Sequence, residues 1–327
     1  MSGLQTWTGP LGVTIDYTEI RSWGRVRVAA GGPSGPTPHR PAAAAAFEAQ
    51  ARADRCRVLW FGVETPEDIA PNRPSLVIGA EPVWGAGRWP AMVTRKASVR
   101  AQIRRAANKG VTIEPWSSDR VRASAELRAV LADWLARRGL PPMSFMADPF
   151  VLDAPGDRRF WVATRNDRAI GYLALRPGDE VFVEWIIQRR EAPNGTAALL
   201  LDTALRDSGC PAFTLGMVPL STYAPLSDTA PSLLVRGLLT WTRAHATRFY
   251  NFGGLERFKA KFVPDRWRPL HLVTTGRPIT VFTFHDVAAA FAAPRAPTRF
   301  VGRALLDAAA HEVRDATEAA RDWLSSR

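Results

Sequence analysis

Three short segments carry side chains whose types and spacing could do chemistry. The first holds Glu184, the one charged residue in Val181–Ile187 (V-F-V-E-W-I-I). A carboxylate in an apolar strand costs desolvation unless it is paired or used, and burial raises its pKa toward the range of a general base. Glu184 is therefore a candidate base, or an ordinary residue if its face of the strand is solvated. The second is Ala192-Pro193-Asn194-Gly195-Thr196, with Arg189 and Arg190 just upstream. Between a strand and a helix, Gly permits close backbone approach, Thr can cap, and free N–H groups with the helix dipole favour an anion. Arg189, Asn194, Gly195 and Thr196 are thus candidate substrate ligands, although the same residues suit a plain strand-to-helix turn. The third runs from Arg248 to Phe262 (R-F-Y-N-F-G-G-L-E-R-F-K-A-K-F). Its cations Arg257, Lys259 and Lys261 beside aromatics suit phosphate and stacked bases. Lys259 and Lys261 share a face on a strand and diverge on a helix. The alternative is a core of aromatics with lysines on a solvated edge.

A fourth feature is a pattern of charge. Thr94 is placed to cap a helix running to Asn108 and closed by Gly110. Along it Lys96, Arg100 and Arg104 recur every fourth residue, with Arg105 and Lys109 beside them and Val99, Ile103 and Ala106 opposite. Like charges at that spacing destabilise a helix, and solvated faces normally mix signs. A polyanionic partner would offset the repulsion.

The elements that must position these residues read as alternating α and β. Val26 and Val28 suggest a strand, followed by the Gly/Pro-rich stretch 31–38, a helix over 42–52, a strand over 57–63 and another at 75–79. After the basic helix come a strand at 111–116, a helix at 124–138, and strands at 160–165, 169–176 and 181–187. The loop 189–195 leads to a helix at 196–207 and a strand at 212–217. A helix near 231–245, strand-like residues at 270–273 and 280–284, and a last helix at 299–324 complete the chain.

Composition sets the frame. The 327 residues exceed the size at which one core usually stops growing, so two domains are expected. With 46% hydrophobic and 23% charged residues the chain is an ordinary globular one. Only Cys56 and Cys210 occur, with no metal-binding spacing, which fits a reducing cytoplasm. No leader or membrane span is legible. The net charge of +12 is carried mainly by arginine, favouring a phosphate-rich partner, although a genome that uses Arg freely would give the same excess. Ser221 and the five histidines show no nucleophile-elbow or metal-ligand spacing, and no nucleotide-binding fingerprint is present.

Taken together, Val99–Val111, Trp134–Met143, Ala192–Thr196, Phe213–Ser221 and Phe249–Phe262 resemble the C-terminal catalytic domain of the phosphatidylglycerol lysyl- and alanyltransferases, the multiple peptide resistance factors. The resemblance implies an α/β (α+β) chain of tandem GNAT-like acyltransferase folds: an N-terminal unit over 1–93, a basic connecting helix over 94–110, a catalytic unit over 111–290 and a C-terminal helix over 291–327. It implies transfer of an amino acid from charged tRNA, the co-substrate in place of any resident cofactor, to a hydroxyl or amine of a lipid or small molecule. Glu184 takes the place of the family's strand acid, and Lys259 and Lys261 match its late Phe-Lys-x-Lys-Phe motif. Lys259 would stabilise the developing oxyanion or the leaving ribose oxygen. Ser221, Asn251, Arg257 and Lys261 join the substrate-binding candidates, and Lys96, Arg100, Arg104, Arg105 and Lys109 would bind tRNA. The family usually has Arg shortly after the acid, where this chain has Ile186, Ile187 and Gln188. An acyl-CoA-dependent N-acyltransferase is the enzymatic alternative, with pyrophosphate on the Arg189–Thr196 loop. A non-catalytic binder of nucleic acid or anionic lipid is the other. The expected location is cytoplasmic, with peripheral contact to an anionic membrane, and the last helix docks on the body or lies on that membrane.

Overall fold

The β-branched and aromatic runs pair into a single mixed sheet. In the computed structural model, which describes residues 4–137, 145–146, 148–224, 235, 237 and 252–292, the first half of the chain supplies β1 (Gln5–Thr8), β2 (Thr14–Ser22), β3 (Gly24–Ala30), β4 (Cys56–Val63) and β5 (Ser75–Trp84). Its helices are α1 (Arg40–Ala53), α2 (Arg88–Arg95) and α3 (Ala97–Asn108). Then follow β6 (Thr112–Trp116), α4 (Ser118–Ala123), α5 (Ala125–Ala136), β7 (Arg159–Arg165), β8 (Arg168–Arg176), β9 (Val181–Gln188), α6 (Thr196–Asp207), β10 (Phe213–Thr214) and β11 (Val218–Pro219). The described chain ends with α7 (Phe252–Ala260), β12 (Arg266–Thr274) and α8 (Val281–Ala292).

The strand order is β1-β2-β3-β4-β12-β5-β10-β9-β8-β7-β6, with β11 on β5. Two halves therefore meet where β5 pairs antiparallel with β10, Phe213 opposite Trp84. Their rings stack at 4.6 Å, and the Trp84 indole donates to the Phe262 carbonyl at 2.9 Å. Helices cover both faces. α2, α3 and α6 enclose one core on the second half and α5 another; α8 and α1 do the same for the first.

Late in the chain β12 returns between β4 and β5 of the first half and α8 packs on β2. Three readings are corrected by this arrangement. Residues 281–284 are the start of a helix: the Thr283 hydroxyl accepts from the Thr280 N–H, one half of a capping box, and the alanines that follow favour helix. The basic helix begins after a break at Lys96 (φ −90°, ψ 92°), and the Thr94 hydroxyl bonds the Pro90 carbonyl inside α2 instead of capping α3. The strand expected at 212–217 is interrupted at Gly216, whose φ of +74° only glycine adopts readily and whose β-carbon would lie 2.7 Å from the Phe182 ring. The helices expected at 231–245 and 299–324 lie outside the described residues, apart from Val235 and Gly237.

Among the described residues no helix is long and apolar enough to cross a membrane. No cluster of His, Cys, Asp and Glu among them could hold a metal ion.

Candidate active site at the seam of the sheet

β9 and β10 run parallel only at Val181–Phe213 and Phe182–Thr214, and then part. The backbone of β10 beyond that point has lost its neighbour, so its carbonyls need other donors. Lys259 supplies them. The sequence left open whether this segment forms strand or helix; residues 252–260 form α7 and Lys261 lies in the turn just after it, so Lys259 and Lys261 diverge. Lys259 is 5% exposed, and its Nζ donates to the carbonyls of Gly216 (2.8 Å) and Met217 (3.1 Å). Burial lowers its pKa to about 7, against the opposing pull of Glu81. Such an amine exchanges its proton near neutrality. In the neutral form its two N–H bonds match the two carbonyls and leave the lone pair free.

Glu81 belongs to β5, opposite Arg268 of β12. It is buried, accepts from the Thr214 hydroxyl at 3.1 Å, and is held by the Arg268 guanidinium. Arg268 also reaches Glu180 (2.6 Å) and Glu64 (3.2 Å). The Thr214 hydroxyl in turn accepts from the Gly216 N–H at 3.0 Å. Charge from both halves thus converges on the peptide that Lys259 grips. Along the same helix Glu256 accepts from the Ser221 hydroxyl, the Thr222 N–H and the Thr222 hydroxyl, all at 2.7 Å, fixing the segment after β11. Ser221 is therefore buried and anchored to α7.

Lys261 faces the other way. Its Nζ reaches Gln102 Oε1 of α3 at 3.2 Å and sits over the rings of Phe258 (4.3 Å) and Phe262 (4.6 Å); burial lowers its pKa to about 8. Arg257 is exposed, and Asn251 lies outside the described residues.

The surroundings of Glu184 differ from the free carboxylate expected. It is the extra residue of a β-bulge, since Ala174 pairs with Trp185 and Leu175 with Val183. Though buried, it accepts from Arg158 Nε (2.5 Å) and Nη2 (3.1 Å) and from Arg176 Nη2 (3.2 Å). Two guanidiniums occupy the one carboxylate, which suits an anchor better than a base.

The loop before α6 is likewise committed. Arg189 Nε donates to the Ala169 carbonyl at 3.1 Å. The buried Thr196 hydroxyl turns back to the Pro193 carbonyl at 2.7 Å, and a β-carbon on Gly195 would lie 2.0 Å from the Gln102 carbonyl oxygen. The loop's glycine is used to seat α6 on α3. Asn194 alone of the four is exposed.

On α3 and at its two ends, Arg104, Arg105, Lys96 and Lys109 are exposed and in no ion pair among the described residues. Arg100 is the exception: it donates to the Val93 (3.3 Å) and Thr94 carbonyls, closing the end of α2. The sequence reading missed Glu81, Glu256, Arg158, Arg176 and Arg268. Glu81 carried the signal that exposed Glu184, a lone acid in an apolar strand, but that strand was ended at Gly79; the arginines had no such signal.

The profile of the family described as "Phosphatidylglycerol lysyltransferase, C-terminal" matches residues 17–274. Among solved structures, the chain is similar to the C-terminal domain of a lysylphosphatidylglycerol synthetase from Agrobacterium fabrum, at 22% identity and a TM-score of 0.69 over 89% of each chain. It is similar to L-PGS from Bacillus licheniformis at 21% identity and a TM-score of 0.68 over 88% of each. A conserved protein from Bacteroides thetaiotaomicron follows at 13% identity and a TM-score of 0.51, over 84% of each chain. Among curated protein sequences none matches. The fold is that of these lysylphosphatidylglycerol synthetase domains.

Proposed function

Because the chain belongs to the phosphatidylglycerol lysyltransferase C-terminal family, and so is an acyltransferase, we propose that it moves an aminoacyl group from a charged tRNA to a hydroxyl of a lipid headgroup. The observation that carries the reading is the buried Lys259, a near-neutral amine fixed by two carbonyls at the seam of the sheet. In this mechanism neutral Lys259 takes the proton from the acceptor hydroxyl as its oxygen attacks the ester carbonyl. The tetrahedral intermediate expels the terminal ribose oxygen of the tRNA, and the Lys259 ammonium returns the proton to it. A shared acid and base with a pKa near the working pH is favourable for both steps.

The cations Lys96, Arg104, Arg105 and Lys109, in no ion pair among the described residues, supply a phosphate track for the acceptor stem, giving affinity without reading sequence. Glu184 acts as the anchor of Arg158 and Arg176. The engagement of Arg189 Nε with the Ala169 carbonyl and of the Thr196 hydroxyl with the Pro193 carbonyl leaves those groups already partnered, which favours a donor other than acyl-CoA.

Purified protein incubated with a mixed pool of labelled aminoacyl-tRNAs and phospholipid is expected to yield a base-labile aminoacyl-lipid. Lys259→Met is expected to abolish it. Transfer from acyl-CoA, with none from tRNA, would overturn the reading.

A further inference from the structure

At the end of the sheet where β3 and β4 begin, the protein exposes large apolar side chains beside exposed cations. The β2–β3 hairpin turns at Trp23, which is 65% exposed. Its ring meets Phe282 edge-on at 5.4 Å, and Phe282 (60% exposed) and Val281 (46%) form the first turn of α8. The placement is fixed: His285 of the same helix bonds the Ser22 hydroxyl at 2.9 Å, and Arg57 at the start of β4 pairs with Asp286 at 2.8 Å. These aromatics thus stand on a rigid rim, where water gains nothing from them and the fold does not need them.

The charge around them is one-sided. The acids at this end, Glu19, Asp54 and Asp286, are already paired with Arg25, Arg27 and Arg57. That leaves Arg21 on β2, Arg52 and Arg55 beside the start of β4, and Arg277 just before α8 as an exposed surplus, none in an ion pair among the described residues. The strands β2, β3, β4 and β12 that carry or flank them are neighbours, so the rim spans about 15 Å at the usual strand spacing.

We propose that this rim docks on an anionic phospholipid bilayer, with Trp23, Val281 and Phe282 entering the headgroup boundary and the four arginines meeting lipid phosphates. Trp is suited to that boundary because its ring is apolar and its N–H polar, and cations beside it add attraction to a negative surface. An apolar protein partner would gain nothing from the surplus of positive charge, and an RNA would not reward an exposed Val and Phe. The inference rests on the reading that the acceptor is a lipid, and it names the face that brings the enzyme to it.

The test is co-sedimentation of the full chain with vesicles of phosphatidylglycerol and phosphatidylethanolamine, against vesicles of phosphatidylcholine alone. The wild type is expected to bind the first and not the second. Trp23→Ser/Phe282→Ser is expected to lower binding by at least tenfold, since binding scales with the apolar area inserted, and Arg21→Glu/Arg277→Glu to lower it with a loss of salt dependence. In parallel, transfer to a monomeric short-chain phosphatidylglycerol is measured. Both variants are expected to match the wild type there, which shows that they fold and separates docking from chemistry. If no variant and no wild type transfers to either lipid while vesicle binding is lost as stated, the docking face stands and the enzymatic reading falls. Unchanged vesicle binding by Trp23→Ser/Phe282→Ser overturns the proposal. So does a wild type that ignores anionic vesicles, or a dimer in solution that this variant dissociates, which would make a second copy the occupant.

Discussion

Gly195 lies against the carbonyl of Gln102 so closely that a β-carbon on residue 195 would sit 2.0 Å from that oxygen. The contact joins the first turn of α6 to the middle of α3, and Gln102 Oε1 receives Lys261, in the turn after α7, from another side. At this one residue the basic helix meets both elements that flank the opening between β9 and β10.

Gly195→Ala combines that clash with a φ of +104°, a conformation that costs L side chains. It is expected to lower stability by roughly 3 kcal/mol or more, the range of overpacking added to backbone strain. Gly209→Ala, at φ +77° with nothing within 4 Å, is expected to cost only about 1–2 kcal/mol. Urea unfolding of the two variants side by side checks the difference.

Removing half of a buried ion pair strands the other half. Glu184→Gln is expected to destabilise by about 3–5 kcal/mol because Arg158 loses its counter-charge, and Glu184→Gln/Arg158→Met to recover much of that loss. Single-turnover transfer per folded molecule is expected to fall far less in the double variant than in Lys259→Met. Loss of all transfer in a stably folded double variant would return the base role to Glu184.

How much of this was readable beforehand depends on distance along the chain. Lys259, the basic stripe on α3 and the lone acid in β9 are local patterns, and each could be named from spacing. The pairing of Glu81 with Arg268 joins residues 187 positions apart and exists only because β12 returns between β4 and β5. No local period encodes that return. Gly195 was legible as a close-approach residue, but its neighbour was not: the letters suit an anion as well as a carbonyl of another helix. Residues 281–284 read as strand because Val, Phe, Thr and Phe favour one, and the tertiary contact of α8 with β2 overrides that preference.

Charge reversal at Arg104 and Arg105 is expected to weaken RNA binding and to reduce the salt slope by about two phosphate contacts, with little change in stability, since neither side chain is in an ion pair among the described residues. Arg100→Glu is expected to cost stability as well, because it removes the donors that close α2. Fluorescence anisotropy with a labelled acceptor-stem RNA across a salt series, beside thermal unfolding, separates the two effects.

Lys259 also leaves a signature on stability. Its pKa is lowered from 10.5 to about 7 in the folded protein, so between those values the unfolded chain binds the extra proton. The contribution of Lys259 to stability therefore rises with pH from about 7 to about 10.5, and below 7 the full cost of a buried ammonium applies. Lys259→Met is expected to gain on the wild type as pH falls from 10 to 7. Matched denaturant curves at several pH values measure that gain.

The central claim is that the neutral amine of Lys259 is the base, and the pH dependence of kcat/KM for aminoacyl transfer tests it most directly. The account predicts a rate that rises with pH to a plateau above about 7, and a loss of about 100- to 10,000-fold in Lys259→Arg, which keeps the charge but cannot accept the proton. A Lys259→Arg enzyme that retains both the rate and the rise through pH 7 would contradict it.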